Sequence, residues 1–536
     1  MKKFRLLYFL MGLVLLSCSK QEISGIGQQG DYLANFDFPK GVLTAPAKVV
    51  ITNRSKNADK FHWQFPGGKV LDKKGLHDIS ESDKMVPDTV YYELPGEYTV
   101  TLKTWQGGKE AEMIKKIKLE KMLPKIIVPE NIAIYEDVTF DAKAFSYPGQ
   151  DLTYSWDFGE GGTSTDKSPT VQFVTEGDHL VTLTVNDGVE QLTSEVTVKV
   201  KGELAKTIYF ADAFTKKIYR YKLTVNTAPQ VEDLGISTGF NTFGVSVKGD
   251  KLYVSETGLG TSYVGSGAAL IADGYLKSFN LDGSNEKLIT KPVATTLDYR
   301  DDPWMHTVDQ YGNIWWTCRN WGVRVVNASS NEAVYPAIKL KIDATIAGEA
   351  ISTYFYSDIK EVGSEMWVSM AGTTGKGIFK FNQAGDYIGK FTTDISKHAI
   401  RSFVVDKQHN YIYFATNRED AGRSTGIYRA NIDGSNVISI DNDASMKIEA
   451  ANYSIQGAAG EYIYVTGLDI DVNADGEGYL YYGYRHNSTV AGNNPPTFGA
   501  SAANSGIKRY NLKTGVVDFL IKGYAPYGLA LDQVKR

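Results

Sequence analysis

Only two cysteines, Cys18 and Cys318, stand in a chain of 536 residues, so no internal disulfide framework can brace the fold once the N-terminus is processed. The chain has seven histidines, with no HExxH spacing and no paired cysteines, so the usual zinc ligand sets are missing. There is no G-x-S-x-G elbow and no glycine-rich phosphate cradle opening a helix, which leaves serine hydrolases and nucleotide enzymes without sequence support. Apolar runs with a helical period are few. Positive charge is not in excess either. A net charge of -5 and a pI near 5.9 argue against a surface built for nucleic acid.

What the chain has instead is glycine (52), tyrosine (33) and short stretches of alternating polarity, the composition of an all-β protein. The segments Ile427–Ile440 (IYRANIDGSNVISI) and Leu276–Ile289 (LKSFNLDGSNEKLI) are near-copies, each a strand, an Asp-Gly turn and a second strand. Weaker copies begin at Ile218, Val323, Ile378 and Ile507. A matching strand precedes each one, at Ile208, Leu252, Ile314, Met366, Ile412 and Ile463. Small sheets repeated at this period predict a β-propeller over residues 207–536.

A third, innermost strand is expected ahead of each pair: Phe243–Val247, His306–Asp309, Ile359–Val362, Ser402–Asp406 and Ile455–Ala458, with the sixth at Tyr527–Asp532. That last strand has no partners after it, and the first pair at Ile208 has none before it. Six blades are therefore expected, the first built from both ends and closed by the C-terminal strand, which also removes two exposed edges. The LDGSN and IDGSN turns resemble the YWTD repeats of the low-density-lipoprotein receptor class. Asp309–Trp315 and Pro526–Asp532 resemble NHL and gluconolactonase-type repeats. Both families are six-bladed, and neither resemblance carries a function with it.

At the N-terminus, Lys2, Lys3 and Arg5 precede an apolar run from Leu6 to Leu16, so residues 1–17 read as a secretory signal, too short to span a membrane. Leu15-Leu16-Ser17-Cys18 resembles the lipobox of bacterial lipoproteins, which implies that Cys18 is lipidated and becomes the mature N-terminus. The alternative is a plain signal peptide with a chance cysteine. Acyl chains at about 0.8 kcal/mol per buried CH₂ would hold the chain on the outer membrane. Ser19-Lys20-Gln21-Glu22 resembles the export signal of some surface lipoproteins, so the cell surface is the expected face, with the periplasmic face as the alternative. Residues 18–35 read as a flexible tether.

Residues 36–121 and 122–201 alternate apolar and polar in short strands, as in Tyr98–Leu102 and His179–Val185. Tyr154–Gly161 (YSWDFGEG) resembles the signature of PKD domains, which are immunoglobulin-like sandwiches, and Trp63–Gly68 (WQFPGG) is a degenerate form of it. The resemblance implies two β-sandwich modules serving as a stalk. Trp156 and Phe158 would fill the space between sheets, and Asp157 would cap a turn.

Ligand candidates come from loops at one face of the propeller: Tyr299, Trp304, His306, Arg319, Trp321, Tyr356, Arg401, Arg418, Tyr453 and Tyr527. Aromatic planes interleaved with Arg suit a carbohydrate, whose C–H face stacks on a ring while guanidinium groups bond paired hydroxyls. Trp315 and Trp367 lie inside strands and read as packing, and Cys318 as a small buried hydrophobe. Two long loops are expected, at residues 257–274 and 467–506. Asp469, Asp471, Asn473 and Asp475 match the first half of a calcium loop, although its closing acid is replaced by Tyr482.

The expected function is a non-catalytic surface lipoprotein that binds a polysaccharide or a surface protein, with no catalytic residues and calcium as the one cofactor candidate. The architecture resembles the accessory lipoproteins that Gram-negative glycan degraders use to capture polysaccharide. One alternative is a polysaccharide lyase or hydrolase using His306, Arg401 and acids such as Asp301 and Asp302, whose carboxyls would need to stand about 5–9 Å apart. The other is a docking scaffold for an outer-membrane importer.

Overall fold

The computed structural model describes residues 32–258, 272–291, 299–352, 354–416, 425–441, 460–489 and 505–536. The chain divides into two compact units, one ending at Gly202 and the other running Glu203–Arg536. Nearly all regular structure in both is β-strand. The N-terminal segment with Cys18 lies outside the described residues.

The first unit holds two sandwiches. In the first, a five-stranded sheet (Leu43–Thr44, Lys109–Glu120, Gly96–Gln106, Lys60–Gln64, Glu81–Ser82) shares one core with a four-stranded sheet (Ala47–Val49, Thr89–Tyr92, Lys69–Asp72, Gly75–His77). Its long hairpin turns at Gly107-Gly108, where φ of 53° and 82° favours residues without a Cβ. Trp63 is fully buried at the centre, and its indole N–H donates to the Lys84 carbonyl at 3.0 Å.

The second sandwich repeats that device. Its main sheet runs Thr163–Ser164, Thr153–Asp157, Gly177–Asn186, Gln191–Val200. The Trp156 indole donates to the Asp166 carbonyl at 2.9 Å, and its ring plane lies 9° from that of Phe158. Asp157 Oδ1 accepts the Gly159 N–H at 2.8 Å, so the aspartate of the motif caps its turn. Tyr147 joins the modules. Its ring sits in the core of the first sandwich, where its hydroxyl donates to Ala45 O at 2.8 Å and accepts from Met122 N at 3.0 Å. Beside it Lys121 meets Asp187 at 2.5 Å and holds that carboxyl down to about 2.

Among its described residues, the second unit folds as six small sheets. The first combines the chain ends, in the order Pro526–Asp532, Thr207–Asp212, Lys217–Lys222, Val231–Ser237, with Ile208 opposite Leu531. The innermost strands of the next five are Gly244–Lys248, Pro303–Val308, Tyr356–Val362, Ile400–Asp406 and Gly460–Val472. Each packs beside its successor, and Gly460–Val472 packs beside Pro526–Asp532. Alternating apolar positions meet between sheets, as where Trp315, Ile359, Val368 and Phe379 share a core.

Two expectations are corrected. The strand at Ile463 is the innermost strand of the sixth sheet, not its second, and the expected inner strand Ile455–Ala458 lies outside the described residues. The second strand is Gly478–Thr489, inside what the sequence presents as a long loop. The Asp/Gly-rich stretch between them is only a hairpin turn, with Gly476 at φ 77°. The third sheet also keeps just three strands, because Ala333–Val334 pairs in parallel with Lys287–Lys291 of the second.

The innermost strands share an irregularity. In five sheets the inner strand carries one residue more than its neighbour, between Pro303 and His306, Tyr356 and Ile359, Ile400 and Ser402, Thr466 and Leu468, and Pro526 and Leu529. Such bulges turn side chains out of the alternating pattern and free backbone groups from the ladder. Hydroxyls of the preceding sheet take up the freed carbonyls. Ser255 donates to Trp304 O at 3.1 Å, Thr317 to Ser357 O at 3.1 Å, and Ser357 to Arg401 O at 2.7 Å.

Candidate functional site

The bulges assemble a girdle. Trp304, Arg401 and Tyr527 sit in the bulged stretches of the third, fifth and first sheets. Phe243 and Phe355 stand just ahead of the inner strands of the second and fourth, and Tyr464 lies in that of the sixth. The contacts run from one to the next. Tyr527 meets Phe243 edge-on at 4.8 Å, Phe243 stacks on Trp304 at 4.1 Å, and Phe355 meets Trp304 edge-on at 5.3 Å. The Arg401 guanidinium carbon lies 4.2 Å from the Phe355 centroid, and its Nη2 donates to the Tyr464 hydroxyl. Arg485 completes the circuit, 4.9 Å from the Tyr464 ring and 3.9 Å from that of Tyr527. Arg319 reaches in over Phe355 at 4.8 Å and Trp304 at 5.8 Å.

The girdle is largely desolvated, with Arg401 8% and Arg485 3% exposed. A cation over a ring face gains about 0.5–2 kcal/mol, more when water is excluded, so the rings orient the guanidinium groups as well as covering them. Tyr527 is further fixed by its hydroxyl on Asn241 Oδ1 at 3.1 Å. Close strand approach is part of the design: a Cβ on Gly528 would stand 2.8 Å from the Phe243 carbonyl oxygen.

Of the residues the sequence singles out, the girdle therefore gathers Trp304, Arg319, Arg401 and Tyr527. Tyr356 is corrected to a core residue. It is fully buried, and its hydroxyl accepts from Ile342 N at 2.7 Å and donates to Ile342 O at 3.2 Å. His306 is corrected likewise. Its ring nitrogens face Ser246 Oγ at 2.8 Å and Ser255 Oγ at 3.0 Å, and burial holds it neutral with a pKa of about 3. Trp321 packs half-buried against the core of the second and third sheets, with the Arg300 guanidinium 4.7 Å from its ring. Arg418, Tyr453 and the Tyr299 side chain lie outside the described residues.

The loop inventory read from the sequence also offers Phe243 and Arg485, which are not carried among the ten ligand candidates; Phe355 and Tyr464 are missed outright. Tyr464 was hidden by the misplaced strand of the sixth sheet, and Arg485, expected in a long loop, lies in the strand Gly478–Thr489. They face each other directly in the first two strands of that sheet, a pairing the hairpin turn would have revealed.

The acids serve the scaffold. Asp301 pairs with Arg324 at 2.5 Å. Asp302 accepts the Gly274 N–H at 2.9 Å and the Tyr335 hydroxyl at 3.0 Å, yet burial outweighs these bonds and pushes its carboxyl up to about 8. Further along the inner strands, Asp358 accepts from Ser402 Oγ at 3.0 Å and Phe403 N at 3.1 Å, with Lys360 3.6 Å away.

The four calcium candidates do not converge. Asp469 accepts the Leu531 N–H at 2.8 Å, Asp471 pairs with Lys206 at 2.5 Å, and Asn473 closes the hairpin turn onto Asp475 N and Glu477 N, at 3.0 and 2.9 Å. Strand pairing and turn closure engage oxygens of Asp469, Asp471 and Asn473. Among the described residues no group of three or more His, Cys, Asp or Glu is placed to hold a metal ion.

Residues 129–200 match the PKD domain family. A microbial collagenase of Vibrio alginolyticus is 31% identical over 105 residues, which is 19% of this chain and only 13% of that protein's length. Two solved structures align with much of the chain. A quinonprotein alcohol dehydrogenase-like protein from Bacteroides thetaiotaomicron aligns at 12% identity over 76% of this chain and 98% of its own, with a TM-score of 0.24. A DUF4784 family protein from Bacteroides caccae aligns at 9% identity over 76% of this chain and 98% of its own, with a TM-score of 0.22. The second sandwich is thus a PKD domain, while similarity this low assigns no activity to the six-sheet unit.

Proposed function

We propose that this chain is a lipid-anchored protein of the outer membrane, displayed at the cell surface through Cys18, that captures a glycan at the girdle of its second unit. In this reading both sandwiches are PKD-like spacers, and the six sheets are the blades of one propeller closed by Pro526–Asp532. The pairing of that strand with Thr207–Asp212, and the succession of neighbouring inner strands, support the closed ring. Rigid contacts at Tyr147 and Lys121 support the spacer role.

One observation carries the binding proposal: every sheet contributes a residue to the same aromatic and guanidinium cluster. The sheets also pack through mixed aliphatic and aromatic cores elsewhere, so the guanidinium groups are what set this cluster apart. Desolvated aromatic and arginine groups at the centre of a contact are the residues that dominate binding energies.

The test is affinity electrophoresis of the full chain through a panel of polysaccharides. Retardation by at least one is expected, and Trp304→Ala should weaken it by about 2 kcal/mol. Because Trp304 also packs on Phe243, the half-buried Arg319→Gln serves as a second variant, checked by its unfolding midpoint. Migration unaffected by every polysaccharide would overturn the proposal.

A further inference from the structure

We infer that His409 is a proton-operated latch between the fifth and sixth sheets, closed when its ring is an imidazolium and loosened when the ring is neutral. The residue stands in the turn joining Ile400–Asp406 to Tyr411–Thr416. From there its side chain reaches the hairpin turn of the sixth sheet, between Gly460–Val472 and Gly478–Thr489. Nδ1 lies 2.8 Å from Asp406 Oδ2, and Nε2 lies 3.3 Å from the Ala474 carbonyl oxygen. The ring edge also closes on Gly476, where a Cβ would stand 3.4 Å from Cδ2. What the latch steadies is the hairpin whose strands carry Tyr464 and Arg485 opposite each other. It goes beyond the binding proposal and does not depend on it.

Both ring nitrogens thus face an oxygen that can only accept. A backbone carbonyl has no proton to give, and neither has an ionised carboxylate. A neutral imidazole carries a single N–H, so in either tautomer one nitrogen lone pair is set against an oxygen lone pair. The imidazolium donates to both partners at once. Asp406 is held for this contact, since it is 4% exposed and its Oδ1 accepts the His409 N–H at 3.1 Å. With 21% of its side chain exposed, His409 exchanges protons with solvent directly. The Ala474 carbonyl and the Asp406 carboxylate raise its pKa above the ordinary 6.5, and burial opposes them. The other charges nearby are Asp475 and Glu477 in the sixth-sheet turn, the latter paired with Lys513, and Lys407, which points at Gly363 of the fourth sheet. A folded value above 6.5 means that the hold is complete below 6.5 and is lost as pH rises through the folded value.

The experiment is a pH titration of the full chain followed by the NMR signals of its histidine rings, with His409 assigned by the signal that His409→Gln removes. A midpoint above 6.5 is expected for His409. Asp406→Asn should lower it, because the amide donates to Nδ1 and lets a neutral ring keep its proton on Nε2 for Ala474. Hydrogen exchange of the peptide over residues 472–478 supplies the second reading. At about pH 6 this peptide should exchange several-fold faster in His409→Gln than in the unaltered chain, and at about pH 9 equally fast. Comparing the two chains at one pH removes the contribution of Asp302, which also titrates as pH rises. In Asp406→Asn the protection should persist at about pH 9, where the neutral ring now satisfies both contacts. A His409 midpoint at or below 6.5, or an exchange difference that does not shrink between the two pH values, would overturn the inference.

Discussion

The two units of the chain bury different chemistry. Among the described residues, the sandwiches bury only Thr104 and Asp187 as polar or charged side chains. The six-sheet unit buries Arg324, Arg401, Arg485, His306, Lys508 and several carboxylates. Withdrawing one ion from water costs several kcal/mol unless partners restore the loss. The sandwiches meet that cost at one described place, where Lys121 pairs with the buried Asp187. Tryptophan fills cores in both units, as Trp315, Trp316 and Trp367 do in the second, but one of them is used differently. Trp63 and Trp156 are spent on cores, each with its indole N–H on a loop carbonyl, while Trp304 lies stacked on Phe243 under two guanidinium groups. The contrast supports placing the proposed binding site in the second unit.

The largest test of that contrast is Trp156→Ala. Losing the ring from a closed core should cost the second sandwich about 3–5 kcal/mol, read as a lowered denaturant midpoint, with glycan retention by the full chain unchanged. If retention fell with the midpoint, the division of labour between the units would be wrong.

A smaller effect is expected at Asp302. Its folded carboxyl keeps its proton up to about pH 8, whereas the ordinary value is 3.8. The folded state thus binds the proton more tightly, and the stability this supplies is complete below about pH 4 and lost as pH rises through 8. Asp302→Asn should flatten that decline in the second unit, measured as the unfolding midpoint at a series of pH values; an unchanged slope would remove Asp302 as its source. The sandwiches show the opposite sign, since Lys121 depresses Asp187 and stability there falls only in acid, between about pH 4 and 2.

The smallest expected effect is that of Tyr356→Phe, about 1 kcal/mol from the lost bonds to Ile342, with no change in glycan retention. A loss of retention would return Tyr356 to the binding surface and blur the line drawn between it and Tyr527.

Much of the fold was legible because its signals are local. The Asp-Gly turns at Asp282-Gly283 and Asp433-Gly434 close hairpins as expected, with Gly283 at φ 87° and Gly434 at φ 76°. Inner strands were found to within a few residues in five sheets. The sixth failed where a run of aspartates before Gly476 imitates an ion-binding loop, because the same residues that ligate calcium also close tight turns. The site was legible only in part. Trp304, Arg319, Arg401 and Tyr527 could be picked out by type and position, but nothing in their spacing distinguishes them from Tyr356 or His306, which turn into the protein.

Alternating polarity, turn residues and the repeat period determined by themselves that this is an all-β chain, with two sandwiches followed by a series of small sheets. These features act over a few residues, so the amino-acid order contains them whole. Which side chains meet was decided by tertiary structure alone. A one-residue bulge reverses the facing of a side chain, and the girdle joins positions as distant as Phe243 and Tyr527, brought together only when the last strand pairs with the first of the unit.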